Sequence, residues 1–374
     1  MQIAFYAPLK SPNSDVPSGD RRIARAFIRA IELKKHKVSI VSEFQSRVSF
    51  GDSQTQKIFK QKGEGIAESL IKSYSKAAEF ERPKLWFTYH LYYKAVDWIG
   101  PIVSRELNIP YVAAEVSYAP KRAKGNWSAS HSEVAKIIKD ANIIFSVNSA
   151  DTKCVLPLLS DSQEHILLRP FMDIPSSDLS KQISRKGLIK KYQLDNSKCI
   201  LVTVAMMRND VKLKSYELLG QSLKQCNLNN WQLLVVGDGP ARDKVAEYLN
   251  HENIFFLGQL NEEGVHTTLS GSDLFVWPAV NEAYGMAMLE AQMFGLPVIS
   301  GRSGGVSDII RHDKTGLLCD VGDVKQFSGA IDLMISNEGL RRGMSQEARR
   351  ISRDEHSIER AAEIIDNAIG NVIQ

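Results

Sequence analysis

The 374-residue chain reads as an α/β protein of two domains, each a parallel β-sheet covered by helices. Three observations predict this. Short β-rich runs alternate with amphipathic runs, the βαβα signature of a parallel sheet. The alternation breaks once, at LLRPFMDIPSSD (167–178), where two prolines and small polar residues replace any period and suggest a linker. The length suits two domains that each bury a core.

The elements follow in order. IAFYA (3–7) is a buried strand, and SGDRRIARAFIRAIELKK (18–35) is a helix with Ile23, Ala24, Phe27, Ile28 and Ile31 on one stripe. KVSIVS (37–42), KLWFTYH (84–90), IPYVAAEV (109–116) and ANIIFSVNS (141–149) are the next strands. Residues 44–80 are polar and Lys-rich, amphipathic only around GIAESLIKSY (65–74). After the linker come CILVTVA (199–205), WQLLVVG (231–237), NIFFLGQ (253–259), DLFVWPA (273–279), LPVISG (296–301) and GLLCDVG (316–322), several of them separated by helical segments. ISRDEHSIERAAEIIDNAIGNVI (351–373) is a terminal amphipathic helix. Two Rossmann-like domains split near residue 170 are the reading that fits.

Apolar residues at 43% and charged residues at 24% are ordinary for a soluble globular protein. Cys154, Cys199, Cys226 and Cys319 form neither a CxxC pair nor a zinc spacing, so reduced thiols in a cytosolic chain are expected. No apolar run reaches the length of a membrane span, and Met1 leads straight into a strand-like run, so neither a span nor a signal peptide is expected. Residues 1–170 carry a net charge of +8 and residues 171–374 a net of −4. That bias fits either a solvated face or a first half turned toward an anionic surface or substrate.

PAVNEAYGMAMLEAQMFGLPVIS (278–300) is the most informative stretch. Pro278 helps stop a strand, a helix is expected from near Tyr284, and Gly295 is a plausible C-terminal cap. Glu282 then lies in the loop after a parallel strand, at the edge where open α/β sheets bind ligands. The amides of Gly285, Met286 and Ala287 make an anion site, and Gly285 lets backbone approach a ligand closely. Glu290, eight positions on, is turned by roughly 80° from Glu282 if both are helical, so both can face one cleft. A first-turn acid and a solvated helix residue remain the plain alternative. Against it stands the apolar setting of Glu290, MAMLEAQMF, where a carboxylate needs a partner.

NEAYGMAMLEAQMFGLPVIS resembles the glutamate-seven-residues-glutamate motif of the retaining glycosyltransferases of family 4. VVGDGP (235–240), FFLGQL (255–260), SDLFVWPA (272–279), SGGVSDII (303–310) and KTGLLCDVGD (314–323) also resemble family segments in order and spacing. The resemblance is strong over 199–323; in the first domain it is confined to layout and first loop. It implies the GT-B fold, with two Rossmann-like domains facing a central cleft. Residues 1–170 would bind the acceptor and 171–350 the nucleotide sugar, while 351–374 would form a helix crossing back to the first domain.

By that resemblance Glu282 meets donor-sugar hydroxyls, Glu290 the ribose diol, and Gly285, Met286 and Ala287 the sugar and diphosphate. Ala283-Tyr284 stands where Gly-Phe is usual. The family's arginine and lysine map to Arg208 and to Lys214, with Lys212 as a rival because the spacing is one residue longer than usual. Gly237 and the backbone near Leu257, Gly258 and Gln259 would shape the nucleotide pocket. Ser18-Gly19 replaces a common Gly-Gly near the diphosphate, with Arg21 or Arg22 adding charge; a plain capped helix start is the alternative. Where many members have a histidine facing the reacting centre, Glu115 is the nearest polar candidate to position the acceptor hydroxyl or take its proton, and His90 is a second. Trp127 and His131, read as lying in a polar loop, are further candidates for acceptor contact.

There is no Asp-x-Asp, so a metal clamp by that route is absent. Transfer without a metal or other cofactor is expected, cations and a helix N-terminus serving the diphosphate of a UDP- or GDP-sugar. The absence of GxGxxG argues against a nicotinamide enzyme. The leading function is therefore retaining sugar transfer to a saccharide or lipid-linked acceptor, in surface polysaccharide or glycolipid synthesis. The expected location is the cytoplasm, with peripheral contact to an anionic membrane and no nucleic-acid partner. A nucleotide-sugar 2-epimerase of the same architecture and a non-catalytic nucleotide-sugar-binding protein are the alternatives.

Overall fold

A computed structural model describes residues 1–15, 18–174 and 180–373. Residues 175–178 of the expected linker and 16–17 of the first loop lie outside the described residues. The chain divides into two compact units, Met1–Asp173 with Ile358–Gln374, and Ile174–Ser357.

The first unit is built on a six-stranded sheet of β1 (Gln2–Tyr6), β2 (Lys37–Ser42), β3 (Leu85–Leu91), β4 (Tyr111–Val116), β5 (Ile143–Ser146) and β6 (Glu164–Leu167). The order is β2-β1-β3-β4-β5-β6 and every pairing is parallel. The chain builds outward from β1 to β2, then returns to place β3 on the other side of β1. The strand order therefore reverses at β1/β3, where loops diverge to opposite faces and leave a crevice. Helix α1 (Gly19–Leu33) buries Ile23, Ala24, Phe27, Ala30 and Ile31, with Ile28 half-buried at the edge of the expected stripe. Phe27 meets Phe87 and Tyr89 of β3, and Phe5 stacks on Phe87 at 5.5 Å. Each such buried ring contributes about 1.5–3 kcal/mol of transfer free energy.

Two elements of this unit differ from the sequence reading. Helix α2 (Ser53–Lys76) occupies most of the unclear 44–80 stretch. Its stripe is thin because Gly63, packed against Trp98, takes the place of a larger apolar residue. Strand β6 falls inside or just before the stretch read as linker; it is a four-residue edge strand, half-buried throughout, too short to show an apolar run. Between them lie α3 (Gly100–Leu107), α4 (Ser128–Asp140) and α5 (Ser149–Val155).

The second unit opens with α6 (Lys181–Tyr192) and repeats the plan with β7 (Cys199–Val204), β8 (Trp231–Val236), β9 (Ile254–Gly258), β10 (Leu274–Trp277), β11 (Val298–Gly301) and β12 (Gly316–Cys319). Its order, β12-β11-β10-β7-β8-β9, is also all parallel and reverses at β7/β10. Helices α7 (Val211–Gln225), α8 (Arg242–Tyr248), α9 (Glu262–Gly271), α10 (Met286–Met293), α11 (Val306–Ile309) and α12 (Val324–Ser336) connect the strands or follow the last one.

The tail read as one helix from 351 is two. Helix α13 (Glu338–His356) stops at Ser357, which is extended, and α14 (Ile358–Val372) follows. The Ile358 amide donates to the Met172 carbonyl at 3.0 Å. Helix α14 buries Ile358, Ala361, Ala362, Ile365, Ala368 and Ile369, packs on α1, and its Asp366 meets His36 at 2.8 Å.

Candidate active site

The reversal point of the second sheet brings together the loop after β7 and the loop after β10. Asp210 caps α7 by accepting from the Lys212 amide, so Lys212 falls in the first helical turn. Its ammonium forms an ion pair with the Glu282 carboxylate and lies 5.4 Å from the Trp277 ring centroid. The Trp277 indole N–H donates to the same Glu282 oxygen at 3.3 Å. The Val280 amide donates to Ser215 Oγ of α7 at 3.0 Å and fastens the two loops.

Lys214 is placed differently from the reading that favoured it. Two helical positions turn it by about 200° from Lys212, and it pairs with Glu217 along the exposed side of α7 at 2.9 Å. Arg208 is half exposed and pairs with Asp210 at 3.0 Å.

Helix α10 starts at Met286, two residues later than expected, because Gly285 is left-handed (φ 83°) and turns the chain into it. No side chain caps this terminus, so the Gly285, Met286 and Ala287 amides keep the character of an anion site. The loop ahead of it also holds Ala279 and Asn281 in left-handed conformation. The 303–305 loop holds it in place: the Glu282 amide donates to Ser303 Oγ at 3.1 Å and the Gly305 amide to the Ala283 carbonyl at 2.8 Å. A Cβ on Gly304 would lie 2.1 Å from the Glu282 carbonyl oxygen. Ser303 and Gly304 thus position Glu282; their signal was SGG, seen in the sequence without a role.

Glu290 is buried one face around α10, as its apolar neighbours required. His266 of α9, which sequence reasoning missed, stands 3.3 Å from its carboxylate, with its ring against Phe294.

Gly237 and Gly258 are joined by a hydrogen bond from the Gly237 amide to the Gly258 carbonyl at 2.8 Å, beside the half-buried Leu257. The need for glycine at 237 is steric: a Cβ there would lie 2.0 Å from the Ala205 carbonyl oxygen. The 237–240 turn is pinned to the loop carrying Arg208 by bonds from Met207 N to Asp238 O and from Ala241 N to Met207 O, both 2.9 Å.

The first unit gathers a second group at its own reversal point. Ser18 caps α1 by accepting from the Arg21 amide, which puts Gly19 and Asp20 in the first turn. Gly19 faces open space. The Arg21 guanidinium is engaged with the Ser14 and Asp15 carbonyls, at 2.8 and 3.3 Å. His90 and Glu115, at the ends of β3 and β4, both have left-handed backbone. His90 Nδ1 lies 3.1 Å from Asp20 and 3.5 Å from Glu115, and the Tyr89 hydroxyl donates to Glu115. Burial works against a charge on His90, but Glu115 and Asp20 outweigh it and hold its pKa above the ordinary histidine value. Burial likewise opposes the Asp20 charge, yet the His90 hydrogen bond and charge keep its pKa below the usual carboxylate value. The ligand atoms of Asp20, His90 and Glu115 lie within 4.8 Å of one another, close enough to hold a metal ion; an imidazolium between two carboxylates satisfies the same charges without one.

Trp127 and His131 are not in a loop. Trp127 starts α4, and His131 lies buried within it, stacked on Tyr118 at 4.4 Å.

Residues 185–351 match the family model described as glycosyl transferases group 1. The N-acetyl-alpha-D-glucosaminyl L-malate synthase of Bacillus anthracis is 28% identical over 55% of this chain and 56% of its own length. The chain spans about half, or less, of the length of the curated relatives it matches. HepE of Anabaena, solved with UDP, superposes with a TM-score of 0.74 at 14% identity over 99% of this chain and 100% of its own. The sucrose-phosphate synthase of Thermosynechococcus elongatus gives 0.71 at 16% identity over 99% and 98%. Two parallel six-stranded sheets with flanking helices match these structures, and the fold is GT-B. No helix among the described residues is long and apolar enough to cross a membrane.

Proposed function

We propose that the chain is a retaining glycosyltransferase of family 4, moving a sugar from a UDP- or GDP-sugar to a saccharide or lipid-linked acceptor without a metal ion. The observation that carries this reading is the meeting of Glu282, Lys212 and the uncapped α10 terminus at one sheet reversal, with Glu290 on the same helix. As the glycosidic bond breaks, negative charge gathers on the diphosphate. Fixed amides and a lysine that needs no reorganisation stabilise it there. In this reading Lys212 exchanges its Glu282 partner for the diphosphate, and Glu282 is released to accept from sugar hydroxyls. Arg208 adds charge, and Glu290, oriented by His266, takes the ribose diol. In the first unit Glu115 and His90 are the groups for the acceptor hydroxyl and its proton. The match to the group 1 family model, and HepE solved with UDP at 14% identity, support a nucleotide-sugar donor. A lipid-linked acceptor would place the chain at the cytoplasmic face of a membrane, in keeping with its basic first 170 residues.

A thermal-shift panel of nucleotide sugars identifies the donor. Glu282→Ala is then expected to lower kcat/KM by about 100-fold or more while the melting temperature stays near wild type, and EDTA leaves turnover unchanged. Full turnover by Glu282→Ala sinks the assignment. Conversion of the donor sugar with the nucleotide still attached, in the absence of any acceptor, would mark an epimerase instead.

A further inference from the structure

Beside the Asp20–His90–Glu115 group, the C-terminal edge of the first sheet carries a cluster of a different kind. Tyr92 and Ala95 exchange backbone hydrogen bonds at 3.4 and 2.9 Å, closing a turn with Tyr93 and Lys94 at its tip. The Val48 amide donates to the Lys94 carbonyl at 2.8 Å, which ties the loop after β2 to this turn. The segment after β4 joins it: Tyr93 packs edge-on to Trp127 at 5.1 Å, and a Cβ on Gly51 would lie 2.8 Å from the same indole. Trp127 is buried and backs Tyr93, so the three loops present the half-buried Tyr92 and Tyr93 at the edge where parallel sheets bind ligands.

Cations stand over it. Lys94 Nζ is 5.9 Å from both the Tyr93 and Trp127 ring centroids, and the Arg122 guanidinium is 5.4 Å from Tyr93. Burial pushes the Tyr92 phenol up to about 12, and the nearby Arg47 charge works against that rise. Among the described residues no carboxylate lies within 4 Å of Arg47, Lys94 or Arg122, and the buried Arg122 Nε has no hydrogen-bond partner. Cations gathered at one edge with no carboxylate of the described residues within 4 Å of them repel one another, and a buried guanidinium N–H without an acceptor is costly. An anion relieves both. A bare anion leaves the rings unused, whereas a sugar ring lays its C–H face on them and its phosphate reaches the cations.

We infer that Arg47, Lys94 and Arg122, with Tyr92 and Tyr93 backed by the buried Trp127, form a site for a phosphate-bearing saccharide, the acceptor class of the transferase. This rests on the proposed transfer reaction for the word acceptor, though not for the binding. The phosphate reaches the site either on a free sugar or at the end of a lipid. Phe50, 90% exposed and next to Gly51, is the side chain a lipid-borne source would bury.

Titration of the full chain with glucose 6-phosphate, against methyl glucoside as the uncharged control, tests it. The phosphorylated sugar is expected to bind at least about tenfold more tightly, and Lys94→Gln with Arg122→Gln is expected to abolish the difference. Arg47→Gln, at an exposed position, is expected to weaken glucose 6-phosphate severalfold without altering the melt, which covers a folding failure of the double variant. Equal binding of the two sugars, or unaltered binding by the variants, overturns the site. Co-sedimentation with phosphatidylglycerol–phosphatidylcholine vesicles separates the sources. With a free sugar the chain stays in the supernatant; with a lipid-borne one it pellets, glucose 6-phosphate displaces it, and Phe50→Ser releases it. Pelleting that glucose 6-phosphate does not displace also overturns the site. UDP titration of the same samples reports on the transferase reading separately: absence of UDP binding would sink that reading and leave the sugar-phosphate result standing.

Discussion

Lys212 and Lys214 lie two positions apart on α7 and end on opposite sides of it. Motif spacing cannot separate them, because the loop before α7 is one residue longer than usual and either lysine restores an alignment. The helix start separates them: Asp210 caps it, so Lys212 is the one turned toward Glu282. Lys212→Met is accordingly expected to weaken UDP binding by about tenfold or more, and Lys214→Met, which loses only an exposed i,i+3 pair, to leave it within about twofold; calorimetric titration reads both. His90 makes a pH-dependent contribution to the first unit that a variant isolates. Its raised pKa means its contribution to stability is complete below about pH 6.5 and is lost as pH rises through the higher folded-state value. Thermal melts from pH 6 upward should show wild type losing stability relative to His90→Gln, and parallel curves would refute the assignment. His266 shows the limit of residue-scale reading: nothing in EEGVHTTLSG marks its histidine as the partner of Glu290 24 positions later.

At the scale of elements, the buried strands were legible because both faces of a parallel sheet are covered and their sequences run almost continuously apolar. The exceptions have a common cause. Strand β6 and helix α2 are half-exposed, so their apolar signal is diluted by Lys, Glu and His. The loops at the sheet edge carry the site, and glycine holds two of them together. Gly304→Ala would force a Cβ into the Glu282 carbonyl at a left-handed φ of 49°, so it is expected to cost about 1–3 kcal/mol and to lower activity by moving Glu282. Gly65→Ala, inside α2 with open space around it, should instead be neutral or stabilising by about 0.5–1 kcal/mol. Denaturant melts of the pair decide; equal effects would mean the 303–305 loop yields freely.

At the scale of the whole molecule, two compact units with separate cores predict two unfolding transitions in calorimetry. UDP, if it binds residues of the second unit, is expected to raise one of them alone. The first unit is completed by a segment distant in sequence: α14 covers α1 with a stripe of isoleucine and alanine. Truncation after Ser357 should therefore depress the transition that UDP does not raise and leave the other in place. A truncated chain with both transitions unaltered would show that α14 adds nothing to the first unit.

Most of the buried strands, and the alternation with helices that makes both sheets parallel, were legible in local composition and spacing, with β6, α2 and the split of the tail helix as the exceptions. Tertiary structure decided which lysine reaches Glu282, that a histidine accompanies Glu290, and that three loops assemble aromatic rings and cations at one edge. Those outcomes depend on distances between residues tens of positions apart, and only the packed backbone sets such distances.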